Sequence, residues 1–283
     1  MPLAFSDIKT EIYREIDEDS TNSYFDEADL VAYTNRQVEH IGSNFPARLA
    51  IFPITGDGTT LDFTIPEPLY KVMALEEGQT FTPPRPYIDI IGAGGIRTTL
   101  TRDIFSSYGF SFMSPDRIRI ETALSSGETR SLHAWGVPGT VNATAISATT
   151  CTVTKGSATV TAASAITNIA SVAHLNTAKI TDGNGNVSYY VVDSTTGSTT
   201  VTLTEQYRSP TNAAATVEIG AHTYLTEDWL DYIVFSVVSR LYRKDRGYDQ
   251  AEYYDNKARM EKRRRRADLN RLARLGAERF DSF

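Results

Sequence analysis

The sequence predicts an α+β chain: a helical bundle of two N-terminal and two C-terminal helices, a small antiparallel sheet, and an inserted β-sandwich or barrel module. Three observations predict it. Apolar residues recur at helical spacing at both ends of the chain. Short alternating runs broken by Gly and Pro fill the stretch from Leu49 to Trp135. Residues 139–222 are about half Ser, Thr or Ala and carry almost no charge, so they form a distinct segment.

Ser6 is a candidate cap for a first helix whose Ile8, Ile12 and Ile16 share a face. Phe25, Asp26, Asp29 and Leu30 spell a hydrophobic staple and cap, and Leu30, Thr34, Val38 and Ile41 run down a second helix expected to end at Gly42. Gly56-Asp57-Gly58 reads as a turn ahead of Leu61, Phe63 and Ile65 at period two. Ile118, Ile120, Leu132 and Ala134 mark further strands, with a long irregular loop expected through Pro83, Pro84 and Pro86. In the segment 139–222, Cys151 and Val153, Thr159–Thr161, Tyr189–Val192, Thr199–Leu203 and Val217 with Ile219 are short strand signals. The sequences 182–186 and 196–198 supply turns between them. Pro138-Gly139 and Gly220 bracket the segment, so 1–138 and 223–283 are expected to form one domain that 139–222 interrupts and could leave without damage.

The closing helices follow different rules. Leu225, Thr226, Glu227, Asp228 and Leu230 announce the first, and Leu230, Ile233, Val234, Val237, Val238 and Leu241 form its apolar stripe. Gly247 is expected at its C′ position, Asp249 with Glu252 opens the next helix, and Tyr248 is placed to staple onto Tyr253. That last helix carries Arg259, Lys262 and Arg263–Arg266, and its stripe fades after Tyr254 and Ala258 until Leu269 and Leu272. A helix without apolar backing is solvated, unfolded alone or held by another chain, and the basic extension 249–283 is expected to order against a partner.

Charge is unevenly placed on a chain of net charge −7. Residues 1–30 hold nine acids against two bases, whereas half of all Lys and Arg lie beyond residue 239. An acidic head and a basic arm suit a charged partner or a neighbouring copy, and side-by-side association through the two is expected. The lone Cys151 excludes an intrachain disulfide framework and reads as an apolar filler. Phe5–Glu18 is polar and acidic, unlike a signal peptide, and no apolar run approaches a membrane span, so no membrane partner is expected.

Catalytic patterns are weak. His40, His133, His174 and His222 are scattered without metal-ligand spacing, and no GxSxG or Walker A occurs, so no enzyme, no metal site and no cofactor is expected. Gly92-Ala93-Gly94-Gly95 follows Ile90 and Ile91 but lacks the dinucleotide-binding spacing and reads as a surface loop. Asp182, Asn184, Asn186 and Asp193 fit a calcium-loop template in part, yet Val187 stands where Gly is required, which favours a hairpin turn. Glu76 and Glu77 read as exposed charge.

The two N-terminal helices with Leu30, Asn35 and Ile41, the strands around Met113–Ile120 and Leu132–Trp135, and the closing Asp228–Tyr242 helix followed by a charged helix resemble the head-to-tail adaptor proteins of tailed bacteriophages. These are the gp6-like connectors and tail tubular proteins. The resemblance covers 1–138 and 223–275; the insertion departs from it. It implies a structural virion protein made in the host cytoplasm and placed in the neck as a dodecameric ring below the portal, lining the DNA exit channel. The portal protein, tail nozzle and other tail proteins are the implied partners, the 139–222 module is open to a fibre or collar contact, and genome DNA passes without sequence-specific binding. Arg259, Lys262, Arg263, Arg264, Arg265, Arg266, Leu269, Leu272, Phe280 and Phe283 are the candidate contacts to the portal or a neighbouring subunit. Two alternatives stay open: a nucleic-acid-binding protein using the arginine helix, against which the overall pI near 5.2 counts, and a tail-associated cell-wall hydrolase.

Overall fold

The computed structural model describes residues 2–17, 25–45, 47–77, 110–114, 116–120 and 123–278. Among the described residues it is a mixed chain of four α-helices, a closed six-stranded antiparallel barrel and small sheets, consistent with the α+β class. The helices are α1 (Phe5–Ile16), α2 (Glu27–Asn44), α3 (Leu230–Lys244) and α4 (Tyr248–Glu278). The Pro83–Pro86 loop and the Gly92–Gly95 run lie outside the described residues.

The helical stripes read from sequence meet in one core. Ile8, Ile12 and Ile16 from α1, Leu30, Val38 and Ile41 from α2, and Ile233, Val234, Val237, Val238 and Leu241 from α3 are all buried together. Asp26 caps α2, its carboxylate accepting from the Ala28 amide at 3.0 Å. Ser6 caps nothing: α1 starts at Phe5 behind Ala4. The reason is β1 (Pro2–Ala4), which pairs antiparallel with β14 (His222–Thr226) and delivers the chain into α1 from a strand. The same pairing shifts the start of α3. Thr226 ends a strand, Glu227–Trp229 make a 3₁₀ turn, and the α-helix begins at Leu230.

Two glycines read as helix ends have other tasks. Gly42 lies inside α2, where an added Cβ would sit 2.5 Å from Pro138 Cδ; it permits close packing. At the end of α3 the left-handed residue is Arg246, with φ +62, and not Gly247. Gly247 donates its amide to Tyr242 O at 2.8 Å and passes close to that ring. Tyr248 stands 67% exposed, so no staple forms onto Tyr253, itself 56% exposed.

Among the described residues, the single small sheet expected between Leu49 and Trp135 is two three-stranded antiparallel sheets. One orders β2 (Leu49–Thr55), β7 (Thr129–Trp135) and β4 (Lys71–Glu77) with β7 central. The other orders β3 (Asp62–Thr64), β6 (Arg117–Ile120) and β5 (Phe110–Ser114) with β6 central. Phe52, Ile54, Ile65, Leu69, Ile118, Ile120, Leu124 and Leu132 bury a shared second core. Asp57 closes the turn ahead of β3 by accepting from the amides of Thr59 and Thr60, which together with the Thr60 hydroxyl holds its carboxyl well below the usual carboxylate range.

The inserted segment closes as a barrel, ordered β10 (Thr177–Thr181), β11 (Val187–Thr196), β12 (Thr200–Leu203), β9 (Thr159–Ala162), β8 (Ile146–Val153), β13 (Asn212–Ile219) and back to β10. Closure pairs every strand of the barrel with two neighbours and so leaves no exposed strand edge. Its interior is filled by alternate residues, including Cys151, Val153, Val160, Ile180, Val192, Val201 and Val217, so the cysteine is indeed a buried apolar filler. Asp182 accepts from the amides of Asn184 and Asn186 and from the Asn186 side chain, which commits its carboxylate to a hairpin turn.

Candidate docking helix and the charged junction

α4 is not without backing. Ala251, Tyr254 and Ala258 are buried, and Leu269 packs against the same helical core. The Tyr254 hydroxyl donates to Glu15 O at 2.9 Å, and burial is the main reason its pKa is pushed up. Ser239 on α3 donates to Ala251 O and to the Asp255 carboxylate. The expectation of an arm that orders only on a partner is corrected for 248–269, because these residues supply a stripe that α3 and α1 receive.

Part of the charge complementarity expected between copies is met inside one chain. Lys257 reaches Glu15 at 3.4 Å, and Lys244 pairs with Asp29. Arg265 turns toward Asp228 at 3.2 Å, and Arg264 stands 3.8 Å from Glu261. Arg259, Arg263 and Arg266 have no carboxylate within salt-bridge distance among the described residues, and with Lys262 they line a groove of about 330 Å³ closed by Asn44 and Phe45 from the end of α2. Lys262 Nζ lies 2.8 Å from His40 Nε2; burial, then Lys262, then Arg240 lower the His40 pKa and keep the imidazole neutral and accepting.

Helical periodicity separates three faces of α4 at about 100° per residue. Ala251, Tyr254, Ala258 and Arg265 face the core side. Arg259, Lys262, Arg263 and Arg266 line the groove. Tyr253 and Met260, seven apart, lie on a third, solvent-facing side with Arg264, and Met260 is 61% exposed. Of the other residues singled out from sequence, Leu272 lies on the same helix beyond the last described side chain, and Phe280 and Phe283 lie outside the described residues.

Sequence reasoning missed a buried ionic junction between sheet and barrel. Arg48 donates to both carboxylate oxygens of Glu67, at 2.6 and 2.8 Å, to Val137 O at 3.1 Å, and to Glu205 of the barrel. All three side chains are within 2% of complete burial. The Tyr224 ring covers the guanidinium at 5.1 Å. Glu205 also accepts from Arg208 and from the Ile51 amide, and Glu67 accepts from the Val137 amide at 3.1 Å. Burial opposes the Arg48 charge, but Glu205 and Glu67 outweigh it and hold its pKa well above the ordinary value. Gly136 is required here: a Cβ would collide with Glu67 Oε1 and lie 2.8 Å from Arg48 Nη1.

Further bonds tie the barrel to the helices. Asn35 of α2 donates to Val141 O at 2.9 Å and accepts from the Val141 amide at 2.8 Å, and Val141 itself joins the helical core. The chain enters and leaves the barrel at one place, with the Asn142 amide bonded to Gly220 O and the Tyr224 amide to Pro138 O. Removing 139–222 would thus strip Val141 from one core and a counter-charge from Arg48, so free removal is not what these contacts allow.

None of the described helices is long and apolar enough to cross a membrane. No protein-family model matches the chain, and no curated sequence is significantly similar to it.

Proposed function

We propose that the chain is a structural virion protein of a tailed bacteriophage, a head-to-tail adaptor whose copies form a ring, most simply a dodecamer, below the portal. In this reading the four helices act as a bundle and α4 is its docking member. The order of elements supports it: two N-terminal helices, small sheets, a closing apolar helix and a long charged helix follow the layout of the adaptors it resembles.

The observation that carries the reading is the outer face of α4. Tyr253 and Met260 are each more than half exposed beside Arg264, an apolar and basic stripe on the helix, with Lys257 standing over one side of the Tyr253 ring at 4.9 Å. Aromatic, Met and Arg side chains are those enriched at protein interfaces. The portal protein or an adjacent subunit is the partner for this face, the opposite rim receives the tail nozzle, and the barrel is positioned for a fibre or collar protein. DNA crosses the ring without its sequence being read.

The test pairs purified chain with portal rings. Tyr253→Asp with Met260→Asp should leave the circular dichroism and unfolding of the isolated chain unchanged and abolish co-sedimentation with the portal. Normal co-sedimentation of this variant would remove the docking role of the outer face.

A further inference from the structure

The groove on the second face of α4 is built differently from the outer face. Arg259, Arg263 and Arg266 recur at i, i+4 and i+7, with Lys262 between them, over Asn44 and Phe45. Its one apolar side chain, Phe45, is already packed on Trp229 at 4.8 Å, and the remaining apolar lining is the stems of the basic side chains. A protein partner would find little to bury there. More cations stand beside the groove: burial first, and then Arg36 and Arg243, lower the pKa of Arg240, while burial first, and then Lys262 and Arg240, lower that of His40. His40 and Arg36 from α2, Arg240 and Arg243 from α3, and the α4 cations make up the charged surroundings, and Asp255 and Asp29 are taken by Arg243 and Lys244. Like charges held together at a concave surface are favourable once a polyanion releases its counterions there.

We propose that this groove binds the phosphodiester backbone of double-stranded DNA without reading its sequence. From Arg259 to Arg266 the helix rises about 10 Å at ~1.5 Å per residue, a length over which one strand of a duplex, at ~3.4 Å per phosphate, carries about three phosphates. The Arg259, Arg263 and Arg266 guanidiniums, without a carboxylate partner among the described residues, take one phosphate each, and Lys262, already donating to His40, adds charge at the edge. The inference goes beyond the docking role, since it concerns a different face and a different ligand. On a ring subunit it would give translocating DNA an electrostatic foothold.

The experiment is fluorescence anisotropy of the purified full chain with a short labelled duplex of random sequence, without portal, across a salt series. With about three phosphates neutralised, affinity should fall about 40-fold between ~50 and ~200 mM salt, a log–log slope near −2.7. Each of Arg259→Gln, Arg263→Gln and Arg266→Gln should reduce the slope by about 0.9. Arg14→Gln, on exposed α1 surface, should leave it unchanged. Circular dichroism of each variant shows that the helix is retained. No binding at low salt, a triple variant that binds like the wild type, or displacement of DNA by polyglutamate at equal charge would overturn the proposal; the last would assign the groove to an acidic polypeptide. None of these outcomes bears on portal attachment, so the two readings fail separately.

Discussion

Glu205→Ala tests the junction that joins barrel to body. The substitution removes the carboxylate that accepts from Arg48 and Arg208 and leaves the Ile51 amide, in a residue 6% exposed, without that acceptor. Breaking a buried ion pair by deleting one partner costs about 3–5 kcal/mol. Arg48 keeps its two-oxygen contact to Glu67, so its charge is not orphaned and the loss belongs at the lower end, about 3 kcal/mol. At roughly 2–4 °C per kcal/mol this lowers Tm by about 6–12 °C. The surface pair Lys179–Glu218, at 3.3 Å, is the contrast: Glu218→Ala should cost about 1 kcal/mol or less. Urea and thermal unfolding of both variants by circular dichroism measure the difference. A Glu205→Ala loss no larger than that of Glu218→Ala would refute a structural role for the buried network.

Gly136→Ala should destabilise by about 1–3 kcal/mol in the same assay, because its Cβ enters the space of Glu67 and Arg48. Asn35→Ala should cost about 1–3 kcal/mol by leaving the Val141 amide and carbonyl without their side-chain partner; a loss under 0.5 kcal/mol, roughly the size of a neutral surface change, would show that the barrel stem is held otherwise. Burial, and then Lys179, lower the His222 pKa, with Glu218 and Asp7 opposing them. The unfolded chain therefore binds more protons than the fold does below about pH 6.5, and stability should fall as pH drops through that value until the depressed folded pKa is passed. His222→Gln should flatten this part of the pH–stability curve, and an unchanged curve would show that His222 does not contribute.

Legibility in the sequence followed the range of the interactions. The stripes of α1, α2 and α3 and the Asp26 cap were readable because i, i+3 and i+4 neighbours decide them. Strands β8, β9, β11 and β12 were readable from alternation and turns. β10 (Thr177–Thr181) was missed because its alternation is short, resting on Ala178 and Ile180 alone, and its place is set by β11 and β13 on either side. β1 was invisible for a similar reason: three residues become a strand only against His222–Thr226. The basic stripe of α4 was visible, but the groove was not, since Asn44 and Phe45 arrive from α2 more than 200 positions away. The fading of its apolar stripe misled, because Tyr254 and the small Ala251 and Ala258 suffice where the helix lies close against α3. The junction was beyond reach altogether: Arg48, Glu67 and Glu205 look like solvated charges until the fold buries them.

Ring formation is the claim on which the adaptor reading stands, and electron microscopy of the chain bound to purified portal, with native mass spectrometry of the same sample, measures it directly. The account predicts closed rings of uniform copy number, twelve being the number the resemblance implies, seated coaxially on the portal. A chain that stays monomeric in the presence of portal, or binds it singly without closing, would contradict the account.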